Sequence, residues 1–100
     1  MDDMDGLGLC CLLWAREGEA AGLEAYEDRV LALIPEHGGQ VLQRVQRTSG
    51  EAVPNEVQIY RFPSQSSLDS YLADPRRLEL AEERDRVVSR TELFPIAFLA

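Results

Sequence analysis

The most apolar stretch of the chain predicts a central β-strand. Residues 7–15, LGLCCLLWA, are apolar at odd and even positions alike. Because neighbouring side chains of a strand point to opposite faces of a sheet, this pattern indicates a strand that is covered on both faces. The only two cysteines, Cys10 and Cys11, are neighbours in this segment. They therefore face opposite ways and are poorly placed to bond each other, so we expect two reduced thiols.

A helical period follows this strand. Apolar residues recur at spacings of three and four, at Leu23, Tyr26, Val30, Leu33 and Ile34. This spacing predicts an amphipathic helix over residues 19–34. Pro35 cannot continue the helical hydrogen bonding, and Gly38 and Gly39 supply the freedom to adopt positive φ. We therefore expect a tight reversal after the helix.

Two more strands are predicted over residues 40–46 and 57–62, on either side of a polar, turn-forming loop over residues 48–55. The first of them, QVLQRVQ, is mixed in polarity and so is expected to be less buried than the first strand. The second, VQIYRF, stops at Pro63, which cannot donate to a sheet.

The second half repeats the order of helix and strand. Ser64 is well suited to be the N-cap of a short helix whose apolar face carries Leu68, Tyr71 and Leu72. Asp74 and Pro75 interrupt this helix, and a further helix is expected with Leu78, Ala81 and Val88 on its apolar side. A last strand is predicted over residues 93–100, with Pro95 indicating an edge position or a bulge.

The predicted order is strand, helix, strand, strand, helix, strand. It is the βαββαβ order of an α+β, ferredoxin-like fold with a four-stranded antiparallel sheet. At 100 residues the chain has room for one such domain over residues 1–100, with residues 1–6 as a flexible lead-in. Since the helices cover only one face of the sheet, the apolar first and last strands leave the other face without a partner. A second copy is the simplest cover, so we expect a homodimer.

Charge and termini narrow the classes of function. Ten Arg, no Lys and eighteen acidic residues give a formal net charge of −8, which repels nucleic acid and anionic membrane surfaces. Residues 1–5 are acidic where a secretory signal carries positive charge, and nine apolar residues are too few to span a bilayer. We therefore expect a cytoplasmic protein with no nucleic-acid or membrane partner.

Two blocks of sequence resemble a known family. They are AYEDRVLALIPEHGGQVLQR over residues 25–44 and VQIYRFPSQSSLDSYLADPRR over residues 57–77. Together they resemble a widespread family of small uncharacterised bacterial proteins in the dimeric α+β barrel superfamily. Members often carry an acidic residue where this chain has Arg61, and a Tyr where it has His37. The resemblance implies a ferredoxin-like homodimer, and the superfamily includes cofactor-free monooxygenases, isomerases of small lactones and haem-degrading enzymes.

The sequence offers no ligand set for a metal and no motif for a cofactor. One His and two adjacent Cys do not match the ligand spacing of a zinc site. The Gly6-Leu7-Gly8 segment leads into a strand instead of linking a strand to a helix, which is not the context of a phosphate-binding loop. We therefore expect neither a metal nor a cofactor.

His37 is the candidate catalytic residue. It is the only side chain whose ordinary pKa lies near neutrality, and it falls in the turn between the first helix and the second strand. The alternative is an exposed or capping residue of that turn.

Four further residues are candidates for ligand binding. Arg44 lies in a strand, where a guanidinium needs a carboxylate or an anionic ligand, so an ion pair with an acidic residue is the alternative. Arg84 falls near the apolar side of the last helix and so is placed to reach inward. Tyr26 and Trp14 are the aromatic residues expected nearest to a pocket, and core packing is their alternative role.

These observations support two hypotheses for function. The first is a homodimer that binds a small, mostly apolar or aromatic metabolite between sheet and helices, with cofactor-free monooxygenase or isomerase chemistry. The second is a non-catalytic oligomerisation or ligand-sensing module. The absence of a nucleophilic or metal motif leaves both open.

Overall fold

A computed structural model of the chain describes residues 6–99. Apart from Gly6, the predicted lead-in over residues 1–6 lies outside the described residues, as does Ala100. The elements in chain order are β1 (Leu7–Ala15), α1 (Ala20–Leu31), a 3₁₀ turn (Ile34–His37), β2 (Gln40–Gln46), β3 (Glu56–Phe62), α2 (Gln65–Leu72), α3 (Pro75–Leu78), α4 (Ala81–Val87) and β4 (Val88–Ile96).

The four strands form one antiparallel sheet in the order β2-β3-β1-β4. The predicted central position of β1 is confirmed, because β1 pairs with β3 on one side and with β4 on the other. In this register Cys11 lies opposite Gln58 of β3 and Leu93 of β4. The ferredoxin-like βαββαβ fold expected from the sequence is therefore confirmed.

Helix α1 ends earlier than the sequence predicts. It stops at Leu31, and the chain continues through the 3₁₀ turn that contains Pro35. Gly38 then adopts a φ of 79°, and its N–H donates to the carbonyl oxygen of Pro35 over 3.1 Å. The predicted reversal at the glycine pair is confirmed, and the positive φ explains why Gly38 carries no side chain.

The second half holds the largest correction. The helix expected after Pro75 is divided into α3 and α4, and α3 begins where the Asp74 carboxylate accepts a hydrogen bond from the N–H of Arg76 over 2.8 Å. The last strand predicted over residues 93–100 is present, but its bounds were wrong, because β4 runs from Val88 to Ile96. The hydrophobic pattern did not predict the first half of β4 because that half carries charged residues. Arg90 and Glu92 lie on an edge strand, where polar side chains remain in contact with solvent.

The two faces of the sheet differ in what covers them. On the face that we call the helix face, Leu9, Cys11 and Leu13 of β1 are buried against a core that includes Leu23 and Tyr26 of α1. On the opposite face, which we call the open face, the apolar side chains are Cys10, Leu12 and Trp14 of β1, Val57 and Ile59 of β3, and Phe94 and Ile96 of β4, and the charged ones are Arg61, Arg90 and Glu92. The open face is thus mainly apolar.

Candidate functional site

A cavity lies between the helix face and the helices. Its volume is about 60 Å³ when measured as the space open to the centre of a water molecule. Much of its wall is apolar and is formed by Leu13, Val30, Leu68, Leu72 and Leu93. Polar groups reach it from Cys11, Tyr26, Glu27, Tyr60, Tyr71, Arg77, Arg84 and Thr91. Apolar walls with a few convergent polar groups are typical of sites for small molecules.

Strand β3 places three polar residues beneath the helices. Its alternate residues Glu56, Gln58, Tyr60 and Phe62 are buried, whereas Val57 and Ile59 lie on the open face. This is the reverse of the usual antiparallel strand, which turns its apolar side chains towards the covered face. The polar side chains of β3 therefore need hydrogen-bond partners inside the molecule.

A chain of hydrogen bonds links these side chains, although Glu56 Oε1 has no hydrogen-bond partner among the described residues. The hydroxyl of Tyr60 donates to Gln58 Oε1 over 2.6 Å. Gln58 Nε2 in turn donates to Glu27 Oε1 and to Glu56 Oε2, each over 3.0 Å. Gln58 is fully buried, and its amide connects Tyr60 and Glu27 in the cavity wall to Glu56, which lies behind the wall.

Glu27 is the buried carboxyl group of the cavity. It lies on the buried side of α1, next to Tyr26 and four residues after Leu23, and only 5% of it is exposed. Burial raises the pKa of Glu27 above its ordinary value, while the hydrogen bond from Gln58 opposes this shift. A carboxyl group in such a setting can hold or release a proton closer to neutral pH than an exposed one.

Arg44 lies behind the cavity wall, where its guanidinium is held by acidic side chains. Its Nε donates to the buried carboxylate of Glu56, and its Nη1 lies 2.5 Å from Asp28 Oδ1 of α1. Although burial opposes the shift, these two hydrogen bonds raise the pKa of Arg44. The structure thus shows the ion pair that was the alternative to ligand binding, and it places Arg44 outside the cavity lining.

Two other arginines reach the cavity. Arg84 lies where the sequence places it, and its Nη2 donates to Thr91 Oγ1 of β4 over 3.2 Å. Arg77 of α3 lies with its guanidinium carbon 5.2 Å from the centre of the Tyr71 ring. Its Nη1 donates to the carbonyl oxygen of Leu72 over 3.4 Å, a long hydrogen bond.

The hydroxyl and thiol groups of the cavity are held in their neutral forms. Burial raises the pKa of Cys11 to about 11, that of Tyr71 to about 12, and that of Tyr26 and Tyr60 above the ordinary value. A thiol with such a pKa is a poor nucleophile at neutral pH. The phenols are therefore hydrogen-bonding groups, and Tyr26 lines the cavity as the sequence predicts.

His37 lies beside the cavity and not in its lining. Its Nδ1 lies 3.0 Å from Ser70 Oγ, and its Nε2 lies 2.8 Å from Asp74 Oδ2. The ring meets Tyr71 edge to face, with the ring centres 6.0 Å apart. Because both ring nitrogens are engaged, His37 joins the 3₁₀ turn to α2 and to the start of α3. A catalytic role for His37 stays a prediction that this placement does not favour.

Trp14 is separated from the other candidates by the sheet. It lies on the open face, where its Nε1 donates to the carbonyl oxygen of Ala52 over 3.1 Å. The guanidinium carbon of Arg90 lies 4.4 Å from the centre of its ring. Of the five residues singled out from the sequence, the structure thus brings only Tyr26 and Arg84 together at the cavity.

Sequence reasoning missed Glu27 and Arg77 as members of this site. A signal for Glu27 was present, since this residue falls on the helical stripe of Leu23 and Tyr26. Arg77 carries no such signal, because its inward direction depends on the break between α3 and α4.

Within residues 6–99 no group of three or more His, Cys, Asp or Glu residues is arranged to hold a metal ion. Among the helices of the same residues, none has the length and apolar character that crossing a bilayer requires.

Comparison with known proteins supports the fold. No protein-family model matches the sequence, and no curated protein matches it. Among solved structures, a protein from Pseudomonas aeruginosa is 18% identical, with 95% of each chain covered and a TM-score of 0.76. A dimeric protein of unknown function with a ferredoxin-like fold, from Bacteroides fragilis, is 9% identical over 93% of this chain and 96% of that chain, with a TM-score of 0.70.

A third similar structure is a dabb family protein with a ferredoxin-like fold from Mesorhizobium loti. It is 10% identical over 96% of this chain and 100% of that chain, with a TM-score of 0.69. Likeness at this identity shows the fold alone. The chain therefore has the ferredoxin-like fold of these bacterial proteins, and its resemblance to the dimeric α+β barrel proteins is confirmed at the level of fold.

Proposed function

We propose that this chain forms a homodimer that binds a small, mostly apolar metabolite in the cavity between the helix face and the helices. The observation that carries the proposal is the composition of the cavity wall. Leucine and valine side chains surround a space in which the buried carboxyl of Glu27, the phenol of Tyr60 and the guanidinium of Arg77 converge. A core that served packing alone would fill this space with apolar side chains.

The open face supports the homodimer. Phe94 is 39% exposed in the single chain, and Val45 of β2 is 49% exposed. Large exposed apolar patches of this kind are typical of interfaces. The second copy is the occupant that fits best, because the face is mainly apolar and the similar protein from Bacteroides fragilis is described as dimeric. Two copies packed through their open faces would also leave each helix face, and so each cavity, intact.

Glu27 favours proton transfer over the other cofactor-free chemistry that the family resemblance implies. As a carboxylate it can remove a proton from a carbon next to a carbonyl group. The C–H bond breaks, the proton joins a Glu27 oxygen, and the electron pair moves to the carbonyl oxygen as an enolate. Return of the proton to a different carbon completes an isomerisation without an oxidant. The non-catalytic alternative is a ligand-sensing module that uses the same cavity.

Thermal unfolding with a set of small ligands tests the binding site. We would use benzamide, benzoate and phthalide, since a ligand that binds the folded chain raises its melting temperature. Leu93 lines the cavity, whereas its neighbour Phe94 lies on the open face, and the two are similarly exposed, at 41% and 39%. We expect Leu93→Trp to reduce the shift by narrowing the cavity and Phe94→Trp to leave it unchanged.

Two results would count against the proposal. One is the absence of a shift with any of the three ligands, and the other is an equal shift in Leu93→Trp and in the parent chain. Phenylacetone, which has the C–H bonds next to a carbonyl group that the three probes lack, can then be followed by NMR in D₂O, because proton transfer at such a carbon exchanges hydrogen for deuterium. Exchange that depends on Glu27 would support isomerase chemistry, whereas binding without exchange would support the sensing module. The predicted cytoplasmic location stays a prediction.

A further inference from the structure

The cavity carries a feature that specifies the chemical class of its ligand. We infer that the metabolite bears a carboxylate group, which Arg77 and Arg84 bind together at the side of the cavity formed by α3, α4 and β4. This inference rests on the proposed function, since it concerns the ligand of the same cavity. It adds that the ligand is an acid and names the two side chains that recognise it.

Arg77 provides the first argument. Its Nε is buried, and within residues 6–99 that N–H has no hydrogen-bond acceptor. A buried donor without an acceptor costs roughly 1 to 3 kcal/mol, and more when the donor is charged. A carboxylate is the natural acceptor, because its two oxygens match the parallel donors of a guanidinium.

The ion pairs elsewhere in the molecule provide the second argument. Carboxylates lie within ion-pair distance of other arginines, namely Arg29, Arg44, Arg76 and Arg90. For Arg77 and Arg84, the part of the chain that the structure describes supplies no such carboxylate. Arg16, Arg47, Arg61 and Arg86 also lack such a carboxylate among the described residues, but Arg77 and Arg84 are the two arginines in the lining of this cavity. Their charge is thus available to a ligand.

The net charge of the cavity lining also favours an anionic ligand. Two guanidinium groups and the one carboxyl of Glu27 line it, so their sum is +1 even when Glu27 is ionised, in a chain of net charge −8. Glu27 is also engaged by Gln58 Nε2 over 3.0 Å. An anion entering the cavity therefore meets more positive than negative charge, and field lines are concentrated where the walls are apolar.

Both arginines are held in place before a ligand arrives. The Tyr71 ring lies against the guanidinium of Arg77, and Tyr71 is itself fixed by the hydrogen bond from its hydroxyl to the carbonyl oxygen of Val30 over 3.1 Å. Thr91 Oγ1 holds Arg84. Preorganised donors lose less conformational entropy on binding, which favours recognition of a small ligand.

A purely structural role for Arg77 makes a different prediction. If Arg77 served only to pack on Tyr71, its replacement would alter stability without changing the preference between charged and neutral ligands. The test must therefore measure a ratio of affinities and not a single affinity. Benzoate and benzamide provide this ratio, because they have nearly the same shape and differ in charge.

We would measure both dissociation constants by titrating the ¹⁵N-labelled full chain and following its NMR spectrum, which reports weak binding. We expect benzoate to bind at least about tenfold more tightly than benzamide, as a charged hydrogen bond implies. Arg77→Gln and Arg84→Gln should each remove most of this preference. Arg77→Lys, which keeps the charge and lacks the Nε–H, should reduce it by less than Arg77→Gln.

The matched control is Arg86→Gln. Arg86 is exposed on α4 and is not part of the cavity lining, so its replacement makes the same change in net charge away from both the cavity and the open face. We expect it to keep the preference for benzoate. Equal affinity of the parent chain for the two probes would overturn the inference and leave the binding site standing, as would a preference that survives in both Arg77→Gln and Arg84→Gln. Binding of neither probe would remove the proposed function as well.

Discussion

The two faces of the sheet differ in how they place polar and apolar side chains, and on one strand the usual distribution is reversed. Strand β3 shows this most clearly, because Glu56, Gln58 and Tyr60 are buried under the helices while Val57 and Ile59 lie on the open face. In a single-chain domain this arrangement is unfavourable, since polar groups are desolvated and apolar groups stay in water. It becomes favourable if the covered face holds a ligand site and the open face holds a partner. The difference between the faces therefore supports both the ligand site and the homodimer of the proposed function.

The largest expected difference between the faces concerns their aromatic residues. Phe62, on the helix face, is fully buried and lies against Tyr71 with the ring centres 5.7 Å apart. Phe62→Ala should lower the free energy of unfolding by about 3–5 kcal/mol, because it removes buried apolar surface and leaves a cavity. Phe94→Glu, on the open face, should instead act on assembly, since it places two charges in a twofold interface.

Chemical denaturation and sedimentation equilibrium separate these effects. We expect the parent chain to be a dimer at micromolar concentration, Phe94→Glu to be a folded monomer, and any folded Phe62→Ala to remain a dimer. A parent chain that sediments as a monomer at every concentration, or a Phe94→Glu variant that stays a dimer, would contradict packing through the open face. A loss below 1 kcal/mol in Phe62→Ala would contradict the assigned core.

Two glycines provide a smaller comparison of the same kind. A Cβ at Gly39 would lie 2.7 Å from Ile34 Cγ2 and 2.8 Å from a ring carbon of Phe62, both fully buried residues. A Cβ at Gly8 would lie 2.6 Å from a ring carbon of Phe98, which is 45% exposed. Gly39→Ala should therefore cost about 1–3 kcal/mol by overpacking. Gly8→Ala should cost less, because the exposed Phe98 ring can move and the other close contact, the carbonyl oxygen of Ile96, lies 3.0 Å away.

Urea denaturation of the two variants measures this difference. An equal loss of stability in both would show that the open face near Gly8 is as closely packed as the core. The comparison is best made below the concentration at which the chain associates, so that a second copy does not restrict Phe98.

The architecture was largely predictable from the sequence because it depends on local signals. The bounds of β1 and β2, the N-cap at Ser64 and the start of a helix at Pro75 follow from periodicity and capping chemistry, and these local preferences agree with one another. The β4 strand was misplaced because its first residues are charged, and only pairing with β1 makes them a strand. Tertiary pairing thus overrode the local pattern.

The candidate site was predictable only in part, because it depends on which side chains the fold brings together. Tyr26 and Arg84 were recognised from helical stripes, which sequence alone reveals. His37 and Arg44 were chosen for their chemistry, but their partners, Asp74 and Glu56, come from 37 and 12 residues away and occupy their polar atoms. Such pairings are set by topology and cannot be obtained from residue types.

The smallest expected effect is the pH dependence of stability that the buried Glu27 introduces and an exposed carboxyl group does not. Burial raises the folded-state pKa of Glu27 above its ordinary value of 4.5. At pH values between 4.5 and the folded-state pKa, Glu27 therefore holds a proton in the folded chain that it has lost in the unfolded chain. The contribution of neutral Glu27 to stability is therefore fully present below pH 4.5 and is lost as pH rises through the folded-state pKa. At higher pH Glu27 is ionised in both the folded and the unfolded chain, so its contribution to stability no longer changes with pH.

Glu27→Gln should remove this dependence, because the amide oxygen can still accept the hydrogen bond from Gln58 and carries no charge. We would measure the free energy of urea unfolding from pH 4 to 8 for the parent, for Glu27→Gln and for Glu24→Gln, which makes the same charge change on the exposed side of α1. Glu56, Arg44 and Arg77 also act on Glu27, so the comparison uses the difference between parent and variant at each pH. We expect Glu27→Gln to gain stability relative to the parent as pH rises above 4.5. A constant difference across the range, or the same gain in Glu24→Gln, would show that burial of Glu27 does not control its proton and would remove the carboxyl proposed for proton transfer.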